Sequence, residues 1–383
     1  MRLPKILPSA LGAIAFLSTP VRASDIQGLT FLGGTTIPKT PLIDGTIAGG
    51  LSGITYDPVQ NRYYILSDDR SEANPSRFYT ASIDLSGGSL SSVTLTGATL
   101  LRQSNGQTFP VSGLDPEGIA FAGGNSVFIA SEGGSAGTPL IGQFSLSTGI
   151  QGQTLPIPAK FLPTATTGVR DNLSLESLTI TPNGRYLFSA TENALRQDGN
   201  TPTVAAGSPS RILQYDLTTN QAIGEYLYNT DPLVNSTGVN GLVDLVALDN
   251  SGQNLLALER GGFLGTGGTP QSSIQIFQVS LSGATQISGL NSVAGQSGII
   301  PVQKTLLLDL STLGISLDNL EGMTLGEILP NGRRSLFLVA DDNFSSSQVN
   351  QLLAFQVDTT VPEPNAIMGL LSIALVVRGL KKS

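Results

Sequence analysis

Carboxylates recur in pairs along this chain, and grouped carboxylates do two kinds of chemistry: they hold hard cations through oxygen, and they move protons. The pairs mark the ends of a phrase that occurs five times between Leu51 and Phe344. Its copies open at Ser52-Gly53-Ile54, Glu117-Gly118-Ile119, Glu176-Ser177-Leu178, Asp244-Leu245-Val246 and Glu321-Gly322-Met323. They close at Asp68-Asp69, Glu132, Glu192, Glu259 and Asp341-Asp342. In the middle copies, residues 117 and 132, 176 and 192, and 244 and 259 stand 15, 16 and 15 positions apart. That spacing fits a short strand, a tight turn and a second strand returning beside the first. Both acids of a copy therefore come back to one end of a hairpin.

Composition narrows the chemistry. The chain of 383 residues has no Cys and no His. Thiolate nucleophiles, zinc–sulfur sites, Ser-His-Asp triads and His-ligated metals are excluded. A metal here must be held by oxygen, which points to Ca²⁺ or Mg²⁺. The net charge of −8 and the absence of a basic stripe argue against nucleic acid as a partner.

The elements that must position the acids are short strands. Forty-five Gly and 22 Pro, with 13% charged residues, suit many strands joined by turns. Fours of strands are expected at 52–57, 63–67, 78–85 and 92–101; at 118–122, 127–131, 141–146 and a weaker edge near 154–161; at 177–181, 186–191, 211–217 and 223–228; and at 245–248, 254–258, 274–281 and 304–310. Residues 322–325, 335–339 and 351–357 supply three more, while the segment Gln27–Ile37 is left over. The pattern predicts an all-β chain: a β-propeller of about five four-stranded blades, closed by its N-terminal strand. A sixth blade within 282–318 and an irregular β-sandwich are the alternatives. The glycine-rich run Gly261–Gly268 lacks a P-loop Lys-Ser/Thr and reads as a flexible rim loop.

In such a propeller Glu117, Glu176, Asp244 and Glu321 form an inner ring with Ser52, surrounded by Asp68, Glu132, Glu192, Glu259 and Asp341. Crowded carboxylates raise each other's pKa, and a cation, protonation or nearby Arg relieves them. Arg70, Arg196 and Arg260 stand close in sequence, and Asn172, Asn193, Asn319 and Asn343 offer neutral oxygens. The competing reading is that each acid merely caps turn N–H groups.

The two ends read as addresses. Arg2 and Lys5, the apolar run Ala10 to Leu17 and the closing Val21-Arg22-Ala23 form a secretory signal pattern cut after Ala23, leaving residues 24–358 as the body. Val361-Pro362-Glu363-Pro364, an uncharged stretch to Val377 and the basic Arg378, Lys381 and Lys382 resemble the PEP-CTERM sorting tail of exported bacterial proteins. That resemblance implies transient membrane anchoring, processing by signal peptidase and an exosortase, and a mature protein at or beyond the cell surface. A plain C-terminal anchor is the alternative.

The body resembles the family named for an esterase-like activity of phytase. The likeness is carried by Leu51-Ser52-Gly53-Ile54 with Tyr63-Tyr64-Ile65-Leu66-Ser67-Asp68-Asp69, by Asp115-Pro116-Glu117-Gly118-Ile119, by Leu175-Glu176-Ser177-Leu178 with Ala190-Thr191-Glu192-Asn193, and by Asn319-Leu320-Glu321-Gly322-Met323 with Asp341-Asp342-Asn343-Phe344. The resemblance implies a phosphodiesterase- or phosphatase-like hydrolase of a small phosphoester. On that expectation Glu117, Glu176 and Glu321 are catalytic, and Asp68, Asp69, Glu132, Glu192, Asp244, Glu259, Asp341 and Asp342 hold Ca²⁺. Arg70 and Arg260 then bind phosphate. Rival expectations are a non-catalytic, calcium-stabilised propeller that binds a surface polymer, and a lactonase-like hydrolase. Ser52 departs from the acidic pattern.

Overall fold

The computed structural model describes residues 26–134 and 137–359. The secretory pattern and the Pro362-Glu363-Pro364 motif lie outside them. The strands are β1 (Ile26–Ile37), then β2 (Leu51–Asp57), β3 (Arg62–Ser67), β4 (Arg77–Asp84) and β5 (Ser92–Leu100) in blade 1. Blade 2 holds β6 (Pro116–Phe121), β7 (Ser126–Ser131), β8 (Leu140–Ser145) and β9 (Gln151–Leu155). Blade 3 holds β10 (Thr179–Ile180), β11 (Tyr186–Ala190), β12 (Pro209–Asp216) and β13 (Gln221–Asn229). Blade 4 holds β14 (Val239–Ala247), β15 (Asn254–Leu264), β16 (Pro270–Ser280) and β17 (Gln303–Asp309). Blade 5 is completed from both ends of the chain: β18 (Asn319–Ile328), β19 (Arg334–Asp341) and β20 (Asn350–Thr359) are followed by β1 at the edge.

Each sheet is four-stranded and antiparallel, so the molecule is a five-bladed propeller. Burial explains the strand patterns. The second strands β3, β11, β15 and β19 are sandwiched between neighbouring blades and read as continuous apolar runs, whereas the outer β5 alternates because one side meets water. Five apolar clusters fill the five blade junctions. Tyr63, Tyr79 and Tyr215 lie wholly inside them.

Residues 282–302 do not form a sixth blade. They cross the outer strand of blade 3, where Ile287 and Val302 donate to the carbonyls of Glu225 and Leu227. A buried cluster pins them: Arg211 binds Asp198 at 2.6 Å, Glu225 at 2.7 Å and the Leu290 carbonyl at 3.1 Å. The edge expected near 154–161 is shorter, ending at Leu155 before a turn of 3₁₀ helix at Ala159–Phe161. The run 261–268 is only partly a loop. Gly261–Leu264 continue β15 and pair with Pro270–Ser273, and Phe263 and Leu264 lengthen that hairpin beyond β14.

Candidate functional site

A bulge interrupts the pairing of the first strand in blades 1, 2, 4 and 5, at Ser52, at Glu117–Gly118, at Val243 and at Glu321. A bulge leaves a residue out of the ladder and re-aims its side chain. In blade 3 the pairing of Leu175 with Thr191 and the bond from Glu176 N–H to the Ala190 carbonyl give Glu176 the same place. Opposite each bulge, Leu51, Pro116, Leu175, Leu242 and Leu320 pair with Ser67, Ser131, Thr191, Glu259 and Ala340. The residues one step further along the second strands are Asp68, Glu132, Glu192, Arg260 and Asp341.

The inner ring is therefore Ser52, Glu117, Glu176, Val243 and Glu321, and the outer ring is Asp68, Glu132, Glu192, Arg260 and Asp341. Blade 4 runs one residue out of step with the acidic pattern, and a one-residue slip turns a side chain to the other face. Asp244 occupies the place that Gly53 and Gly322 hold in other blades. Its Oδ1 accepts from its neighbour Leu245 N–H at 2.8 Å, and its Oδ2 reaches Met323 N–H of blade 5 at 2.6 Å. Glu259 faces away from the ring, bound by Tyr228 Oη at 2.7 Å, Asp231 N–H at 2.8 Å, Asn240 Nδ2 at 2.8 Å and Lys304 Nζ at 2.5 Å.

Asp69 and Asp342 are also held by structural contacts. Asp69 accepts the N–H groups of Glu72, Ala73 and Asn74 and pairs with the buried Arg77 at 2.8 Å. Asp342 accepts Gly50 N–H at 2.8 Å and meets Lys39 Nζ at 2.5 Å, linking blade 5 to the chain entering blade 1. Asp69, Asp244 and Asp342 bind backbone N–H groups, as the capping alternative expects, whereas Glu259 is held mainly by side chains. Arg196 is turned away, donating to the Val169 carbonyl at 3.3 Å. The expected phosphate ligand Arg260 points into the ring, its Nη2 2.6 Å from Glu321 Oε1.

The remaining acids converge. One oxygen each from Asp115, Glu117 and Glu132 lies within 4.8 Å of the others. Asp115 was not among the expected site residues because it precedes the repeated phrase, although it opens the Asp115-Pro116-Glu117 phrase that carries the family resemblance. Its Oδ1 accepts Arg70 Nε at 2.7 Å, and Arg70 Nη2 reaches Asn172 Oδ1 at 2.6 Å. Arg70 is 41% exposed and thus stands at the rim. Ser174 N–H donates to Glu132 Oε1. Asn319 Nδ2 bridges Glu321 and Asp341 at 2.9 and 3.3 Å, and Asn343 N–H holds Asp341 at 2.6 Å.

Burial, then mutual repulsion, dominates the electrostatics. Glu117 is pushed well above the usual carboxylate range by desolvation and by the charges of Glu176 and Asp68. Glu176 is raised by desolvation and by Glu132 and Glu192. Desolvation lifts Glu132 to about 7 against the hydrogen bonds from Glu176 and Ser174. It lifts Glu192 to about 7 against the pull of Arg260, and Asp341 to about 8 with help from Glu321. Asp68 is raised by burial and by Asp341, and its Oδ1 is buried without a hydrogen-bond partner among the described residues. An all-oxygen donor set that is desolvated, self-repelling and partly unpartnered fits a hard divalent cation. A cavity of about 400 Å³ opens at the other mouth of the channel, between Ile54, Ile119, Leu178, Val246 and Met323 and away from the acids.

Fold and site together define a propeller with a carboxylate-lined channel mouth. The family model for the esterase-like activity of phytase matches residues 46–344, so the chain belongs to the phytase-like family. No curated protein matches the sequence. Among solved structures the chain is similar to Myxococcus xanthus glutaminyl cyclase, with 10% identity, a TM-score of 0.36, and 86% of this chain and 97% of that one covered. It is similar to the Dos1 propeller at 8% identity and a TM-score of 0.34, covering 86% and 96%. Kuenenia stuttgartiensis hydrazine synthase gives 12% identity and a TM-score of 0.35 over 81% of this chain, which spans about three fifths (61%) of that one. These distant likenesses carry no argument about chemistry.

Proposed function

We propose that the protein hydrolyses phosphate esters with the help of a hard divalent cation, calcium by preference, held by Asp115, Glu117 and Glu132. The observation that carries this reading is the convergence of those three buried carboxylates within 4.8 Å beneath the half-exposed Arg70. When bound, such a cation neutralises charge on phosphoryl oxygens and acidifies water. The chain's own residues do the rest. Arg70, oriented by Asp115 and Asn172, presents its guanidinium edge to the phosphate, a geometry suited to paired hydrogen bonds. Ser174 N–H and Asn319 keep Glu132 and Glu321 in place. To Asp68, whose buried Oδ1 has no hydrogen-bond partner among the described residues and whose carboxyl is raised by burial, we assign the proton taken from attacking water.

Export and surface release, through signal peptidase and an exosortase acting on the Pro362-Glu363-Pro364 motif, belong to the same proposal; calcium is plentiful outside the cell. The test is turnover of bis-nitrophenyl phosphate and of phytate by the purified protein, with calcium and with chelator. Calcium-dependent turnover is the expected result. A calcium-dependent rise in Tm with no turnover of any phosphoester would make the protein a binding propeller instead.

A further inference from the structure

Blade 4 departs from its fellows in one concerted way. Its inner-ring residue is the apolar Val243, where the others are acidic or, in blade 1, Ser52, and its outer-ring residue is Arg260, which carries the opposite charge. The guanidinium is directed inward: Nη2 makes the 2.6 Å bond to Glu321 of blade 5. On the other side, Gly241 pairs with Arg260 across the hairpin, and a Cβ at Gly241 would lie 2.2 Å from Glu192 Oε1. A glycine is thus required for the Glu192 carboxylate of blade 3 to lie over blade 4 beside Arg260. The charges of Glu321, Glu192 and Glu176 all act on Arg260, whose Nε is buried with no hydrogen bond among the described residues.

We propose that Arg260 is a built-in counter-cation: it pairs with Glu321 and offsets part of the charge of Glu192 and Glu176, so that the ring takes a divalent cation only on the Asp115–Glu117–Glu132 side. This positioning role rests on the cation-binding reading above. The ring thereby divides into a metal half next to Arg70 and a half whose mutual repulsion the protein itself relieves. A guanidinium cannot deprotonate under these conditions and forks between carboxylates, as a single ammonium does less well.

The experiment measures bound Ca²⁺ and Tm for the wild-type protein, Arg260→Ala, Arg260→Lys and the double variant Arg260→Ala with Glu321→Gln. In chelator, Arg260→Ala should lower Tm by roughly 5–10 °C, as expected for an orphaned buried charge. In calcium it should bind one more equivalent than wild type and regain most of that loss, whereas Arg260→Lys should keep the wild-type stoichiometry. The double variant should recover stability in chelator, because the carboxylate left unpaired is gone. An Arg260→Ala protein with unchanged stoichiometry and no recovery in the double variant would overturn the proposal. If wild type binds no Ca²⁺, the metal reading fails by itself, and recovery or its absence in the double variant still decides the counter-cation role.

Discussion

At the scale of single residues, Asp115 joins two functions: Oδ1 orients Arg70, and the carboxylate completes the group with Glu117 and Glu132. Asp115→Asn keeps the shape but removes a negative ligand and weakens the hold on Arg70. We expect hydrolysis to fall roughly 100-fold or more and the calcium-induced rise in Tm to disappear. Arg70→Ala should separate the two functions. The cation response should survive while KM for a phosphoester rises about tenfold with a smaller change in kcat, since Arg70 stands at the rim outside the ligand group. A cation response lost in Arg70→Ala would place the guanidinium within the metal site's own support.

At the scale of elements, the site turns on strand register. Most of the ring was legible in the sequence, because Glu117, Glu132, Glu176, Glu192, Glu321 and Asp341 end consecutive strands of matching hairpins. Blade 4 was not legible from its acids. Asp244 and Glu259 have the same spacing as Glu117 and Glu132, yet the bulge at Val243 sets both one residue out of step. Aligning the buried leucines instead of the acids recovers it: Leu51, Leu175, Leu242 and Leu320 each precede the inner-ring residue. Asp244 then has a structural task. In blades 1, 2 and 5 a glycine lets neighbouring backbones approach, as at Gly53 and Gly322, where a Cβ would lie 2.7 Å from the next blade's carbonyl. In blade 4 the Asp244 carboxylate fills that space and accepts N–H groups from Leu245 and Met323. Asp244→Ala leaves both without acceptors and should cost about 2–5 kcal/mol of stability, read by denaturant unfolding. Calcium stoichiometry should not change; its loss in Asp244→Ala would return Asp244 to the ring.

At the scale of the molecule, ring closure and ring charge set stability. The unpaired segment Gln27–Ile37 and the three-stranded last blade were complementary in the sequence, which made closure legible; the strap at 282–302 was not, because its polar residues carry no strand period. Acid stability offers the widest test. Glu132 and Glu192 are raised to about 7 and Asp341 to about 8, so in the metal-free protein these carboxyls bind protons more tightly folded than unfolded. The folded state then holds more protons than the unfolded chain from about pH 4 up to about pH 8, and stability falls as pH rises through that window. This is the reverse of an ordinary salt-bridged carboxylate, whose contribution is lost on acidification. In chelator we expect Tm to be higher near pH 5 than near pH 8, by roughly 5 °C or more. Saturating calcium should remove most of that slope, because a bound cation favours the ionised carboxylates that high pH produces. A chelated protein whose Tm instead rises between those pH values would mean that the ring is already neutralised by partners other than protons.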